Sequence, residues 1–332
     1  MFYYSLFGAD SLADGDDIEL NGIVYTKHRG ILRQQSILSK NQTQTEKAFG
    51  FKWKKRDTYE SESVKAAAKN WLIERYLSGK EDSIKKYCFK DAKILDAGCG
   101  SGVSSLLLFG KYLEKVKYLG VDISDAVDVA QDRFNEENIG AEFIQADLNN
   151  LPFTRPEFDL IFSEGVLHHT DTTEETLKYL ATLLKNDSYF LFYVYRKKAP
   201  IREFSDDYIR DQLSGLSDAE AWDALLPISM LGGELGKLNA TLQVSENIPI
   251  LGIPSGSYDL QRFFYWFFMK AYFRPELSLD EMNHCNFDWY RPMNCHRHTE
   301  EEIQKWCNEA DLRIERMKIE EAGITVIAQK MS

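Results

Sequence analysis

Basic charge is scarce in this chain. Its 40 Lys and Arg stand against 52 Asp and Glu, a formal net charge of −12. That balance excludes a general nucleic-acid binder, because phosphate contacts need clustered cations. Long apolar runs are missing too: the most apolar stretch, Phe263 to Phe273, is about half a membrane span and contains Lys270. Cysteine is sparse and irregular. Cys88, Cys99, Cys285, Cys295 and Cys307 form an odd set suited to free thiols in a reducing cytosol. The first residues lack a basic region followed by an apolar run, so no signal peptide is expected there. Internal repeats and low-complexity tracts are absent. What remains is the expectation of a soluble, cytoplasmic protein. Its 332 residues, 44% hydrophobic, suffice for one large α/β domain or two smaller ones.

The stretch Lys93 to Gly102, Lys-Ile-Leu-Asp-Ala-Gly-Cys-Gly-Ser-Gly, organises the rest. Ile94 and Leu95 open a strand buried on both faces. Asp96 follows at its end, then Gly98, Gly100 and Gly102, which let the backbone turn sharply and approach a ligand. Val103 to Tyr112 continues as a helix whose N-terminus aims N–H groups above the loop. A dinucleotide fingerprint needs its third glycine at position 103, and here it stands at 102. Two more strands, Tyr118 to Asp122 and Phe143 to Asp147, also end in acids.

This set resembles motif I and the following strand ends of class I S-adenosylmethionine (SAM) dependent methyltransferases. The nearest likeness, through Asp96 to Gly102 and Ser163 to His169, is to the ubiquinone/menaquinone C-methyltransferase-like branch. The resemblance implies SAM as cofactor and a small-molecule acceptor. It assigns Asp96, Gly98, Gly100, Gly102, Asp122, Ile123, Asp147, Leu148 and Ser163 to the cofactor, with Asp122 on the ribose hydroxyls and Asp147 facing the adenine amine. It implies a Rossmann-like, mostly parallel seven-stranded sheet with an antiparallel last strand. The Asn-Pro-Pro-Tyr signature of nucleobase and protein-amide enzymes is replaced by Ser163-Glu164-Gly165. An enzyme that uses SAM without transferring methyl, or a non-catalytic SAM-binding module, would keep the same loop.

Around this core the sequence divides into an N-terminal hairpin and lid (1–57), the SAM-binding core (58–196), a helical cap insertion (197–298) and a closing helix and hairpin (299–332). Asn21-Gly22 between Ile18–Leu20 and Ile23–Tyr25 predicts a two-residue hairpin, with a second turn at His28 to Gly30. Ser36 to Thr45 reads as polar loop. Phe49 to Arg56 interleaves aromatic and basic residues, either a satellite patch or a lid placing Trp53 over the cofactor. Ser61 to Leu77 has helical period. The insertion carries capping boxes at Ser217/Glu220 and Ser278/Glu281. Standing over the carboxyl ends of the strands, it reads as a substrate cap.

Methyl transfer draws mainly on holding two reactants in line, and some acceptors need a base. His168 and His169 follow the fourth strand; either could be that base, or one packs in the turn while the other is exposed. Tyr195, with Tyr193, ends the fifth strand and either faces the pocket or packs in the sheet. His284-Cys285 and Cys295 to His298 lack zinc spacing, so no metal is expected. The aromatic run 263–273 suits burial in the cap, an apolar substrate or a homodimer contact.

Overall fold

The computed structural model describes residues 2–332. The chain opens with α1 (Phe2–Leu6), β1 (Asp17–Leu20), β2 (Ile23–His28), β3 (Ile31–Gln34), α2 (Lys40–Trp53) and α3 (Glu62–Leu77). The core follows as β4 (Lys93–Ala97), α4 (Val103–Phe109), β5 (Lys117–Asp122), α5 (Ala126–Glu136), β6 (Glu142–Gln145), β7 (Phe158–Glu164), α6 (Thr173–Thr182) and β8 (Leu184–Tyr195). The insertion holds α7 (Pro200–Leu213), α8 (Asp218–Lys237), β9 (Thr241–Val244), β10 (Gly256–Asp259), α9 (Leu260–Phe267) and α10 (Leu279–Tyr290). The chain closes with α11 (Glu300–Glu309), β11 (Leu312–Ile319) and β12 (Gly323–Lys330).

One sheet carries ten strands in the order β1-β2-β3-β6-β5-β4-β7-β8-β12-β11. Its middle, β3 through β8, is parallel, and β12 and β11 close it antiparallel. Successive residues of β4 feed opposite faces: Ile94 packs with Tyr118, Phe143 and Leu160, and Leu95 with Leu119, Ile144 and Ile161. This alternation is why β4 needs an unbroken apolar start. The strand order reverses beside β4, where β5 lies on one side and β7 on the other. Such a reversal opens a crevice at the carboxyl ends of the strands.

The expected separation of residues 1–57 from the core is corrected here. The hairpin turns at Asn21 and Gly22, both with positive φ (54° and 78°), as the mirror-image turn requires. A third strand follows, and β3 pairs in parallel with β6, Leu32 opposite Ile144. This covers an edge that the seven-stranded sheet would leave open. Tyr3, Tyr4, Tyr25 and Leu32 belong to the main core. Glu142 accepts the N–H groups of Phe2, Tyr3 and Tyr4 at 2.6, 2.9 and 2.8 Å, satisfying the first turn of α1.

The polar stretch Ser36 to Thr45 is also not all loop. Ser39 caps α2 by accepting from Gln42 N, and the helix runs through Trp53. Gln42 and Thr45 are buried because they bond across to Asn294. Asn186 to Ser188 lies within β8, with Asp187 at φ 62°, where the strand's register against β7 shifts.

The insertion leaves and rejoins the sheet at one point: Lys197 N donates to the His298 carbonyl (3.0 Å) and His298 N to that of Tyr195 (2.9 Å). Within it α8 packs on α10, with Ser229 bonded to Asn283 and Asn286 at 2.8 Å each. The run 263–273 supplies α9 and an extended segment on this layer. No described helix is long and apolar enough to cross a membrane.

Candidate active site

A cavity of about 810 Å³ lies over the carboxyl ends of β4 to β8, roofed by α2 and the insertion. At one end stand Gly98, Gly100, Asp122, Ile123, Asp147 and Leu148; at the other, Lys198, Arg202, Trp266, Lys270 and Trp289. Its volume lies high in the range of roughly 300–1,000 Å³ usual for small-molecule sites.

The glycine-loop end is held by the acid of β5. Asp122 Oδ2 accepts from Gly100 N at 2.9 Å, and Oδ1 from Ser124 N and Oγ at 2.9 and 2.7 Å. Burial pushes its carboxyl above the usual value, opposed by these donors. A Cβ on Gly100 (φ 51°) would lie 2.8 Å from the Trp53 indole nitrogen, so the loop stays open only because that position has no side chain. At the end of β6, Asp147 accepts from Asn149 N at 2.9 Å and also faces the cavity.

Three expected cofactor residues do not line the cavity. Asp96 is buried behind the loop, where Oδ2 accepts from the Tyr118 hydroxyl at 2.6 Å and from Ser105. Burial pushes it up to about 6. Ser163 is fully buried and donates to the Ala97 carbonyl at 2.8 Å. Gly102 caps α4 against Phe134 and Ala130. These three shape the loop from behind.

The histidine expectation needs a similar correction. His168 is fully buried, neither ring nitrogen has a partner, and it does not line the cavity. His169 lines the wall. Its Nδ1 meets the Asn294 carbonyl at 2.6 Å; a carbonyl only accepts, so Nδ1 carries the hydrogen and Nε2 is a lone pair. That Nε2 is buried without a partner, with the Phe49 ring 4.9 Å and the Tyr195 ring 5.5 Å from the imidazole. Burial lowers His168 well below the usual value and His169 to about 4. The turn after β7 faces inward because Thr170, Asn294 and the His296 N–H to the His168 carbonyl (2.9 Å) fix it under the 294–298 segment.

Charged pairs occupy the centre. Lys52 of α2 bonds Asp288 of α10, whose other oxygen accepts from the Tyr195 hydroxyl at 2.9 Å. Although burial alone would raise it, Lys52 and Lys270 hold Asp288 far below the carboxylate range. Nearby, Glu164 at the end of β7 pairs with Arg75 at 2.7 Å and accepts from Tyr76. The Arg75 guanidinium is sandwiched between Trp71 and Tyr193, 3.3 and 3.5 Å from their centroids. Lys52, Asp288, Glu164 and Arg75 were not singled out from the sequence. His284 and Cys295 to His298 are used otherwise: His284 bonds Thr58 Oγ1 (2.8 Å), His298 Thr173 Oγ1 (2.9 Å), and Cys295 packs with Tyr195 and Trp289.

The arrangement fits a nucleoside-bearing cofactor: a glycine cradle that a Cβ would fill, acids at two adjacent strand ends, and an indole above. In an α/β fold a ligand sits in this crevice, at the carboxyl ends of the strands, and the chain is similar to the following proteins. Residues 89–226 match the family described as a methyltransferase domain. An uncharacterized methyltransferase of Bacillus subtilis is 26% identical over 51% of this chain and 68% of its own. A probable tRNA methyltransferase 9B of mouse is 33% identical over 33% of this chain and 23% of its own. Among solved structures, a SAM-dependent methyltransferase from Aquifex aeolicus aligns over 84% of this chain and 98% of its own, with 14% identity and a TM-score of 0.43. Residues 89–226 are thus similar to a methyltransferase domain, and SAM is the cofactor that this likeness supports.

Proposed function

We propose that the protein methylates a small-molecule acceptor bound beneath the cap formed by residues 197–298. The observation that carries this is the single cavity running from the glycine loop to Lys270 and Trp289, with room for a second ligand. SAM supplies an electrophilic methyl group. Asp122 and Asp147 hold the nucleoside end, Trp53 covers it, and the cap places the acceptor in line, which is where most of the rate gain arises.

Neither His169 nor Asp288, two cavity-lining groups beside Tyr195, is placed to act as a free base. His169 Nε2 is walled in by Phe49 and Tyr195, and Asp288 is held as a firm anion by Lys52. This favours an acceptor that arrives nucleophilic, oriented by the Tyr195 and Asp288 pair. The likeness to quinone C-methyltransferases rests on the 96–102 and 163–169 stretches and adds no acceptor. The mouse relative's name points to RNA, but the excess of acids in this chain disfavours a polyanion. The five unpaired thiols suit a cytoplasmic setting.

Chromatography of the protein incubated with SAM tests the reaction class. Alone it should be nearly inert, and with an accepted small molecule it should release S-adenosylhomocysteine. Rapid methylthioadenosine release without any acceptor would overturn methyl transfer in favour of attack within SAM itself.

A further inference from the structure

The cap end of the cavity concentrates positive charge in an acidic protein. Three cations surround the Trp289 indole: Lys270 Nζ at 5.2 Å, the Arg202 guanidinium at 5.3 Å and Lys198 Nζ at 5.5 Å from its centroid. Lys270 is 8% exposed, lines the cavity, and among the described residues its ammonium has no hydrogen-bond or ion-pair partner. A buried, unpaired ammonium is costly unless something neutralises it.

The neighbouring acids are already committed. Asp206 accepts from Arg202 Nε, Trp289 Nε1, the Tyr290 hydroxyl and Lys270 N. Glu203 accepts from Lys198 N and Arg297, and Asp288 from Lys52 and Tyr195. At the mouth, Glu276 pairs with Arg274. Lys198 Nζ meets only the carbonyls of Glu321 and Ala322, at 2.6 Å each. Burial, then the Arg202 charge, lowers Lys198 well below its usual value, so an arriving anion would favour its charged form. Trp266, Tyr265 and Tyr272 add flat walls beside this group.

We infer that the acceptor is a flat, anionic molecule whose carboxylate or phosphate is bound by Lys270, Arg202 and Lys198. This rests on the small-molecule methyltransferase reading and names its substrate class. The cations stand at the cap end, away from the glycine loop, so the anionic group anchors the acceptor and leaves its far side toward the cofactor.

Calorimetric titration of the S-adenosylhomocysteine-loaded protein with 2-naphthoate, 2-naphthyl phosphate and neutral 2-naphthamide tests this. At least one anion should bind about tenfold or more tightly than the amide, as a charge-assisted contact implies, and which one binds separates carboxylate from phosphate. Lys270→Met should erase that preference, Lys270→Arg should keep it, and S-adenosylhomocysteine affinity should be the same in all three proteins. An amide that binds as well as both anions, failure of both anions to bind, or an unchanged preference in Lys270→Met would overturn the inference alone, provided S-adenosylhomocysteine still binds. Failure of wild-type protein to bind S-adenosylhomocysteine would sink the cofactor assignment and this inference together.

Discussion

Lys52 and Asp288 join the helix over the glycine loop to the cap, and their pairing gives a quantitative test. Lys52 is 4% exposed, while the Asp288 side chain opens to the cavity at 26%. Removing one partner of a fully buried pair costs about 3–5 kcal/mol. Asp288 would keep the Tyr195 hydroxyl, the nearby Lys270 and some solvent contact, so Lys52→Met should cost about 2–3 kcal/mol after that discount. Asp288→Asn leaves the ammonium buried without its counter-charge and should cost a similar amount. The double variant strands neither charge, so its loss should fall short of the sum by at least about 1 kcal/mol. Urea unfolding at pH 7 measures all three, with unchanged slopes confirming a common unfolded state. Because Asp288 is depressed in the fold, its contribution is present above the ordinary carboxylate range and is lost as pH falls below it. Wild type and Lys52→Met should therefore converge in acid. Single losses that add to within about 0.5 kcal/mol would refute the pair as the tie between α2 and α10.

Two buried titrating groups give opposite pH signatures. His169, lowered to about 4, refuses a proton that the unfolded chain binds, so stability rises with pH between about 4 and 6.5. His169→Gln should flatten that slope in urea melts, by up to roughly 3 kcal/mol at its low-pH end, with His298, also lowered to about 4, supplying part of what remains; an identical slope would refute the burial argument. Asp96, raised to about 6, holds a proton that the unfolded chain has lost, so stability falls as pH rises from about 4 to 6. Asp96→Asn should gain no more than about 3 kcal/mol at pH 7, less whatever its new N–H₂ costs, and nothing below pH 4; parallel curves would show that burial is not what raises this acid.

The parts legible in the sequence were those where one local pattern decides the outcome. Ile94 and Leu95 before three glycines, Asn-Gly at 21–22 and the capping boxes at Ser217 and Ser278 each specify geometry within a few residues, and each is in place. Helix α2 was missed because its buried face is polar: Gln42 and Thr45 are interior only through Asn294, some 250 residues away. Ser39 followed by Gln42 has capping-box spacing and was the available signal. The acceptor end was hidden for the same reason. Lys270 lies far along the chain from Lys198 and Arg202 and meets them only once the insertion folds back on β8. Lys270 did carry a sign, as the one charge in an aromatic run, and it turned out to face a cavity instead of breaking a membrane span. The roles given to His168, Asp96 and Ser163 failed for a different reason. Asp96 and Ser163 do stand near strand ends and His168 in the turn after β7, but which side of the loop a side chain takes depends on packing against Tyr118, Ala97 and Tyr195.

The central claim is that the glycine-loop end of the cavity holds SAM through the acid of β5. Titration of wild type and Asp122→Ala with S-adenosylhomocysteine tests it most directly. Asp122 would offer a charged acceptor to the ribose hydroxyls, worth about 1.5–3 kcal/mol, and it also pins Gly100 N at 2.9 Å. The account predicts one equivalent bound by wild type and an affinity at least about tenfold weaker in a still-folded variant. Equal affinity in the two proteins would contradict it.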